Sequence, residues 1–112
     1  MPTPLTWPEF QRVEMRVGTV LTAEPFPEAR NPSYRLTLDF GSEIGTRKTS
    51  AQITDRYRPD DLVGRQLVAV VNFSPKQIAT MMSECLVLGA VEGKVVTLLV
   101  PDQAVENGTR IG

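Results

Sequence analysis

Short stretches in which apolar and polar residues alternate predict that this chain is built mainly from β-strands. The clearest alternation covers residues 34–40, where Tyr34, Leu36, Leu38 and Phe40 share one face. Residues 15–22 alternate in the same way, with the odd-numbered positions on one face, and a glycine inside this segment predicts a bulge or a close backbone approach. Further strands are expected over roughly residues 46–53, 67–73, 84–91 and 94–100, the last two joined by a hairpin turn.

Helical signals are few. Thr6 and Glu9 have the spacing of a capping box and Pro8 is tolerated in a first turn, so a short helix is expected before the first strand. Residues 54–66 could hold one helical turn, and Pro75 to Met82 is expected to form a short helix or an ordered loop. This pattern predicts an all-β fold, with an OB-type five-stranded antiparallel barrel preferred over a sandwich.

Length and composition favour one domain over residues 1–112, with 41% hydrophobic residues to supply a core. The longest apolar run, Leu67 to Val71, is far shorter than the about 20 residues of a membrane-spanning helix. With no secretory signal apparent at the N-terminus, the pattern predicts a cytoplasmic protein without membrane insertion. The single cysteine, Cys85, is expected to be a small buried hydrophobe, and the absence of histidine excludes a Cys–His pair.

Charge is unevenly distributed along the chain. Residues 47–76 carry six basic and three acidic side chains, a net of +3, whereas residues 1–46 and 77–112 each carry a net of −2. A basic zone on an otherwise acidic protein indicates a site for an anion, and nucleic acid is the most abundant large anion in a cell. No glycine-rich phosphate loop, metal-ligand cluster or catalytic partner set is visible, so we expect neither an enzyme nor a cofactor.

Several segments resemble the tRNA-binding domain family, and specifically its CsaA type, over about residues 7–112. The family also includes the C-terminal appendage of many methionyl-tRNA synthetases. The segments that carry this resemblance are Phe10 to Gly18, Tyr34 to Gly41, Lys48 to Ile53, Val71 to Phe73, Ser83 to Gly89, and Pro101 to Gln103 with Asn107 to Gly112.

The resemblance implies an OB fold with a C-terminal extension, binding of tRNA, and a homodimer formed through the terminal segments 1–13 and 101–112. In the CsaA subgroup it also implies a chaperone-like link to protein export, with preproteins or export machinery as further partners. Binding of unfolded or export-bound polypeptides is therefore the alternative to tRNA binding. A subunit that delivers a non-covalently bound enzyme to RNA is a further alternative.

Candidate RNA-binding residues lie at the edges of the apolar strand-like segments between residues 47 and 84, where hydroxyl, amide and basic groups fit phosphate, ribose or base edges. Because Arg47 and Lys48 are adjacent in a strand, at most one of them is expected to face a ligand directly. Asn72 can equally be structural, and Glu84 is expected to orient neighbouring groups. The RNA-binding candidates are Arg47, Lys48, Ser50, Gln52, Asn72, Lys76, Ser83 and Glu84.

The loop before Ser83 departs from the family pattern. Relatives tend to carry glycine and a basic residue there, whereas this chain has Ala79-Thr80-Met81-Met82. The change removes positive charge and adds two flexible apolar side chains, so Met81 and Met82 are candidate peptide-binding residues. Because no outward aromatic platform is evident, we expect recognition of folded RNA by shape and backbone contacts.

Overall fold

A computed structural model describes residues 3–112. The strands, in chain order, are β1 (Met15–Pro25), β2 (Tyr34–Asp39), β3 (Thr46–Ala51), β4 (Gln66–Val70), β5 (Lys76–Ile78), β6 (Met81–Ser83), β7 (Leu86–Val87), β8 (Gly89–Glu92) and β9 (Val95–Leu98). Three short helices complete the fold: α1 (Trp7–Gln11), α2 (Gly41–Ile44) and α3 (Pro59–Leu62).

The main sheet has five antiparallel strands in the order β3-β2-β1-β4-β7. Its two edge strands, β3 and β7, approach each other, so the sheet curls into a nearly closed barrel. The long strand β1 makes this curling possible, because Met15 to Thr19 pair with β4 whereas Thr19 to Pro25 pair with β2. This architecture is an OB-like barrel, and the fold predicted from the sequence is confirmed.

The C-terminal segment occupies the side of β1 that β2 leaves unpaired. Val17 donates its backbone N–H to the Thr109 carbonyl at 3.0 Å, Gly108 donates to Val17 at 2.7 Å, and Ile111 donates to Met15 at 2.9 Å. The Asn107 side chain secures the turn by accepting a 2.7 Å hydrogen bond from the Thr19 hydroxyl. The C-terminal extension is therefore hydrogen-bonded to the barrel rather than projecting from it.

The barrel interior contains alternating residues of β2 and the residue that follows it, as the sequence predicts: Leu36, Leu38 and Phe40 are fully buried. A residue larger than glycine would not fit at position 18 of β1, because a Cβ at Gly18 would lie only 2.6 Å from the Phe40 ring. Cys85 also belongs to this core, which confirms its predicted role as a small buried hydrophobe. The remaining core positions are Val20, Ala51, Ile53, Leu62, Leu67, Ala69, Val71 and Leu98.

Two local predictions are wrong. Pro75 to Met82 forms no helix; most of it is the hairpin of β5 and β6, in which Lys76 pairs with Ser83 and Ile78 with Met81. In β1 the register shifts between Val20 and Thr22, so Thr22 lies on the same face as Thr19, whereas strict alternation places it on the opposite face. A bulge exchanges the two faces of a strand beyond it, which alternation along the sequence does not reveal.

The N-terminal helix has the capping box predicted from its sequence. The Thr6 hydroxyl accepts the Glu9 backbone N–H at 3.3 Å, and the Glu9 carboxylate accepts the Thr6 backbone N–H at 3.0 Å. The Thr6 hydroxyl also donates to the Glu9 carboxylate at 2.7 Å, and this bond together with the one from the Thr6 backbone N–H lowers the pKa of the Glu9 carboxyl. Trp7 stacks on Phe10 with 5.4 Å between ring centroids, yet Trp7 is still 64% exposed.

Candidate nucleic-acid interface

The outer surface of β3 presents the predicted row of hydrogen-bonding side chains. Thr49 and Ala51 point into the core, so the alternate residues Lys48 and Ser50 point outward, and Gln52 is exposed just beyond the strand. An ammonium, a hydroxyl and an amide along one strand are groups that bind phosphate, ribose and base edges. The three candidates are therefore brought together as expected.

Strands β1 and β2 extend this row into a surface of six side chains. Lys48 lies opposite Thr37, which lies opposite Thr22, and Ser50 lies opposite Arg35, which lies opposite Glu24. Directly paired residues of antiparallel strands share a face, so the two rows stand side by side. We call this surface the outer face: Thr22, Glu24, Arg35, Thr37, Lys48 and Ser50.

Two residues of the outer face, Arg35 and Thr37, are not among the candidates predicted from the sequence, although the alternation over residues 34–40 indicates that both point outward. They are missed because the basic zone is defined by counting charges along the chain, and that zone begins only at Arg47. Cross-strand register brings Arg35 next to Ser50, fifteen positions away in the chain. A count of charges along the sequence cannot show that these two residues are neighbours.

Arg47 lies on the other side of β3 from Lys48. Its side chain is half-buried, and its guanidinium donates a 3.4 Å hydrogen bond to the Val71 carbonyl.

The buried thiol of Cys85 lies near Arg47. Burial raises the pKa of this thiol to about 11, although the hydrogen bond with Thr49 and the positive charge of Arg47 oppose this shift. The thiol is therefore protonated at neutral pH and is a poor nucleophile.

Lys76 and Ser83 line a recess that shares no residue with the outer face. This recess, which we call the apolar groove, has a volume of about 230 Å³ and is lined by Phe73, Ser74, Lys76, Ser83, Cys85 and Leu86. Phe73 and Leu86 are 57% and 49% exposed and lie together in this lining, so they form a small apolar patch. The predicted RNA-binding residues therefore do not form one site, because Lys48 and Lys76 border different surfaces.

Glu84 and Ser83 help to close the barrel between these surfaces. The Glu84 carboxylate accepts the Lys48 backbone N–H at 3.0 Å, and the Glu84 backbone N–H donates to the Lys48 carbonyl at 2.7 Å. The buried Thr49 hydroxyl donates to the Cys85 carbonyl at 2.7 Å and lies 3.2 Å from the Ser83 hydroxyl. Glu84 thus holds the backbone at Lys48, and an orienting effect of its charge on RNA-binding side chains stays a prediction.

Asn72 joins the N-terminal segment to the end of β4. Its side-chain amide donates to the Arg12 carbonyl at 2.6 Å, and its side-chain oxygen accepts the Glu14 backbone N–H at 3.0 Å. These contacts give Asn72 the structural role that the sequence left open. Contact between Asn72 and RNA stays a prediction.

Met81 and Met82 project to opposite sides of β6, because they are consecutive residues of a strand. Met81 is half-buried beside the outer face, and Met82 is 44% exposed. The hairpin turn that precedes them contains Ala79 with a φ of 49°, a left-handed conformation that favours glycine. Ala79 thus carries backbone strain that a glycine at this position would avoid.

The described part of the chain, residues 3–112, contains no group of three or more His, Cys, Asp or Glu side chains arranged to hold a metal ion. Within the same residues, every helix is too short or too polar to cross a membrane.

Residues 15–110 match the family model described as "Putative tRNA binding domain". The chain belongs to the tRNA-binding domain family. The resemblance inferred from the sequence segments is thereby confirmed. Among curated proteins, the methionine–tRNA ligase of Pyrococcus furiosus is 31% identical over 107 residues, which is 96% of this chain but 14% of that protein's length.

Two solved structures match the whole fold. The chaperone CsaA from Bacillus anthracis is 50% identical, with a TM-score of 0.93 and coverage of 98% of this chain and 100% of that one. The CsaA chaperone protein from Picrophilus torridus is 45% identical, with a TM-score of 0.91 and coverage of 97% and 100%. The chain thus covers the whole of both solved CsaA chains, whereas it spans only 14% of the length of the ligase.

Proposed function

We propose that this protein binds tRNA and that the outer face of β1 to β3 contacts the RNA. The observation that carries the proposal is the row formed by Lys48, Ser50 and Gln52 on an OB barrel whose family is named for tRNA binding. In OB folds the surface of the second and third strands, between the adjoining loops, is where oligonucleotides bind. Arg47, Asn72, Lys76, Ser83 and Glu84 are proposed as flanking contacts or as supports of that surface.

We further propose that the protein acts as a homodimer through its terminal segments, residues 1–13 and 101–112. Exposed apolar side chains support this arrangement: Leu5 is 69% exposed and Trp7 64%, and Val105 is exposed in the C-terminal segment. A two-fold interface would bury such residues. Two outer faces on one dimer could bind a single folded RNA, so that two weak sites act together.

A salt series of tRNA binding, measured by filter retention or mobility shift, tests the proposal. With about 2–3 phosphate contacts in each protomer, the affinity of the dimer should fall with a log–log slope of roughly −4 to −5. A Lys48→Ala, Lys76→Ala double variant should bind more weakly and depend less on salt. A slope near zero for the wild type, or unchanged binding in the double variant, would contradict RNA binding at these lysines.

Binding of unfolded or export-bound polypeptides is the second candidate function. It is supported by the likeness to proteins described as chaperones and by the exposure of Phe73 and Leu86 at the apolar groove. Lys76 at the rim could pair with acidic groups of such a polypeptide. The test is binding of unfolded apolar peptides over the same salt series, since burial of apolar surface resists salt whereas phosphate contacts do not.

We propose that the protein is a non-catalytic binding module of the cytoplasm, where tRNA is found. Its match to methionine–tRNA ligase covers only 14% of that enzyme, which supports a role in binding rather than in aminoacylation. Preproteins or export machinery are proposed as further partners under the second function. Aminoacylation assays with methionine and tRNA should give no product with this protein alone.

A further inference from the structure

A pocket of about 280 Å³ opens on the outer face where the β5–β6 hairpin leans over it. Its walls are two cationic side chains, a carboxylate, three threonine hydroxyls and one thioether. We call it the Arg35 pocket; its polar lining comes from Thr22, Glu24, Arg35, Thr37, Lys48 and Thr80. Three strands and a hairpin thus bring together residues that are spread over most of the chain.

Arg35 is held in place before any ligand arrives. One of its terminal nitrogens lies 3.1 Å from the Glu24 carboxylate, and its guanidinium carbon lies 5.2 Å from the centre of the Phe26 ring. The ring face attracts the cation, and the carboxylate occupies one edge of the planar group. A guanidinium fixed in this way loses little conformational freedom on binding an anion.

Arg35 also retains an unused donor. Its Nε atom is buried and has no hydrogen-bond partner among residues 3–112. A buried polar group without a partner destabilises the free state, and an anion that accepts a hydrogen bond from it removes this cost. The Arg35 side chain as a whole is 35% exposed, so an anion can reach its guanidinium, and contact with the buried Nε requires the side chain to move.

The charges and hydroxyls define the ligand. Arg35 and Lys48 together exceed the single negative charge of Glu24, so the pocket keeps one net positive charge. Lys48 is the diagonal neighbour of Arg35 across β2 and β3, a separation of about 7–8 Å between backbones, so both long side chains can reach one anion. The threonine hydroxyls of the pocket add donors of the kind that bind phosphate oxygens.

We propose that the Arg35 pocket binds one phosphate group of the RNA, with Arg35 and Lys48 as its two cations. The proposal rests on the tRNA-binding function proposed above and makes it specific, because it adds a second phosphate-binding side chain to the outer face. Glu24 is the positioning residue of the pocket. Its carboxylate orients Arg35 and at the same time reduces the attraction for the phosphate.

The first experiment measures tRNA binding over a salt series with the wild type, Arg35→Gln and Glu24→Gln. Arg35→Gln should weaken binding about tenfold at low salt and reduce the magnitude of the salt slope by about 1 for each protomer that contacts the RNA. Glu24→Gln keeps a hydrogen-bond acceptor for Arg35 but removes the negative charge, so it should strengthen binding about threefold. Lys94→Gln is the matched control, since it removes one positive charge at the β8–β9 turn, outside the pocket lining.

The second experiment follows the ¹⁵N–¹H signal of the Arg35 Nε–H group by NMR during titration with inorganic phosphate and, separately, with tRNA. A shift of this signal with both ligands is expected, because the unused donor gains an acceptor. A role of Arg35 confined to barrel stability would leave the signal unchanged. Thermal melting of each variant checks that the barrel remains folded.

The possible outcomes distinguish phosphate binding at the Arg35 pocket from tRNA binding by the protein as a whole. If the wild type binds tRNA with a steep salt slope and Arg35→Gln matches it, the Arg35 pocket is overturned and tRNA binding stands. A shift of the Nε–H signal with phosphate in a protein that does not bind tRNA would keep the pocket as an anion site and overturn the proposed function. An unchanged signal with both ligands would overturn the pocket.

Discussion

The outer face and the apolar groove lie close to each other on the barrel but differ in chemistry. On one side of β3, Lys48 joins hydroxyl and guanidinium groups from β1 and β2. The opposite side of β3 faces the barrel core, and the groove is lined by residues within 73–86, among which Phe73 and Leu86 are exposed. The two surfaces therefore consist of different residues, although hydrogen bonds from β3 to Glu84 and Cys85 connect them. The two proposed functions, RNA binding and polypeptide binding, follow this division.

Charge reversal at the outer face should give the largest effect. Lys48→Glu adds repulsion to the lost contact, so tRNA affinity should fall about 100-fold at low salt, which corresponds to about 2.7 kcal/mol. Peptide binding at the apolar groove should change little, because Lys48 is not part of its lining. Lys94→Glu, with the same change of charge in the β8–β9 turn, is the control. Equal loss of tRNA binding in both variants would mean that overall charge, not the outer face, controls binding.

Alkaline pH should destabilise the fold through Cys85 beneath the groove. The pKa of this thiol is raised from 9.0 to about 11, so its stabilising contribution is complete below pH 9 and is lost as the pH rises through 11. The free energy of unfolding should fall by up to about 2 kcal/mol between pH 9 and 11. Urea denaturation at several pH values measures this change.

The control for this titration is Cys85→Ala, which removes the ionisable group. The difference between wild type and variant should shrink as the pH rises from 9 to 11. A difference that stays constant over this range would contradict thiol ionisation as the cause. Other groups that titrate at high pH are common to both proteins, so comparison of the two cancels their effect.

Polarity introduced into the groove should produce a smaller, selective effect. Phe73→Ser removes a large exposed apolar side chain, so binding of an unfolded apolar peptide should weaken about tenfold, or about 1.4 kcal/mol. Binding of tRNA should stay within about twofold of the wild type. Fluorescence anisotropy with a labelled peptide and with labelled tRNA measures both affinities on the same sample.

Val91→Ser is the matched control for Phe73→Ser, because Val91 is also highly exposed, at 71%, but lies on β8. The control should bind peptide like the wild type. If both substitutions weaken peptide binding equally, the binding is non-specific and the groove is not its site. If Phe73→Ser weakens only tRNA binding, the functional division between the two surfaces is wrong.

Relief of strain at the hairpin should give the smallest effect. Ala79 has a positive φ, so Ala79→Gly should raise the free energy of unfolding by about 1 kcal/mol. Binding of tRNA should remain unchanged, since the substitution adds no charge. Thermal and urea denaturation measure the gain, with Ala90→Gly in β8 as a control that should lose stability. A loss of stability in Ala79→Gly would contradict strain at this turn.

Sequence alone was sufficient for the parts of this protein that depend on neighbouring residues. The alternation over β2 predicted its buried face, and the capping box predicted α1, because each pattern is read within a few positions. The row of Lys48, Ser50 and Gln52 follows from the same local rule. The order and spacing of several segments were also enough to assign the family.

Tertiary structure decided everything that depends on residues distant in the chain. The bulge at Leu21 and the β5–β6 hairpin in place of a helix arise from pairing with other strands, which alternation does not encode. Arg35 joins Lys48 only through the register of β2 and β3, and Lys76 is separated from Lys48 because it lines the groove. Local periodicity fixes which way a side chain points, whereas closure of the barrel determines which side chains become neighbours.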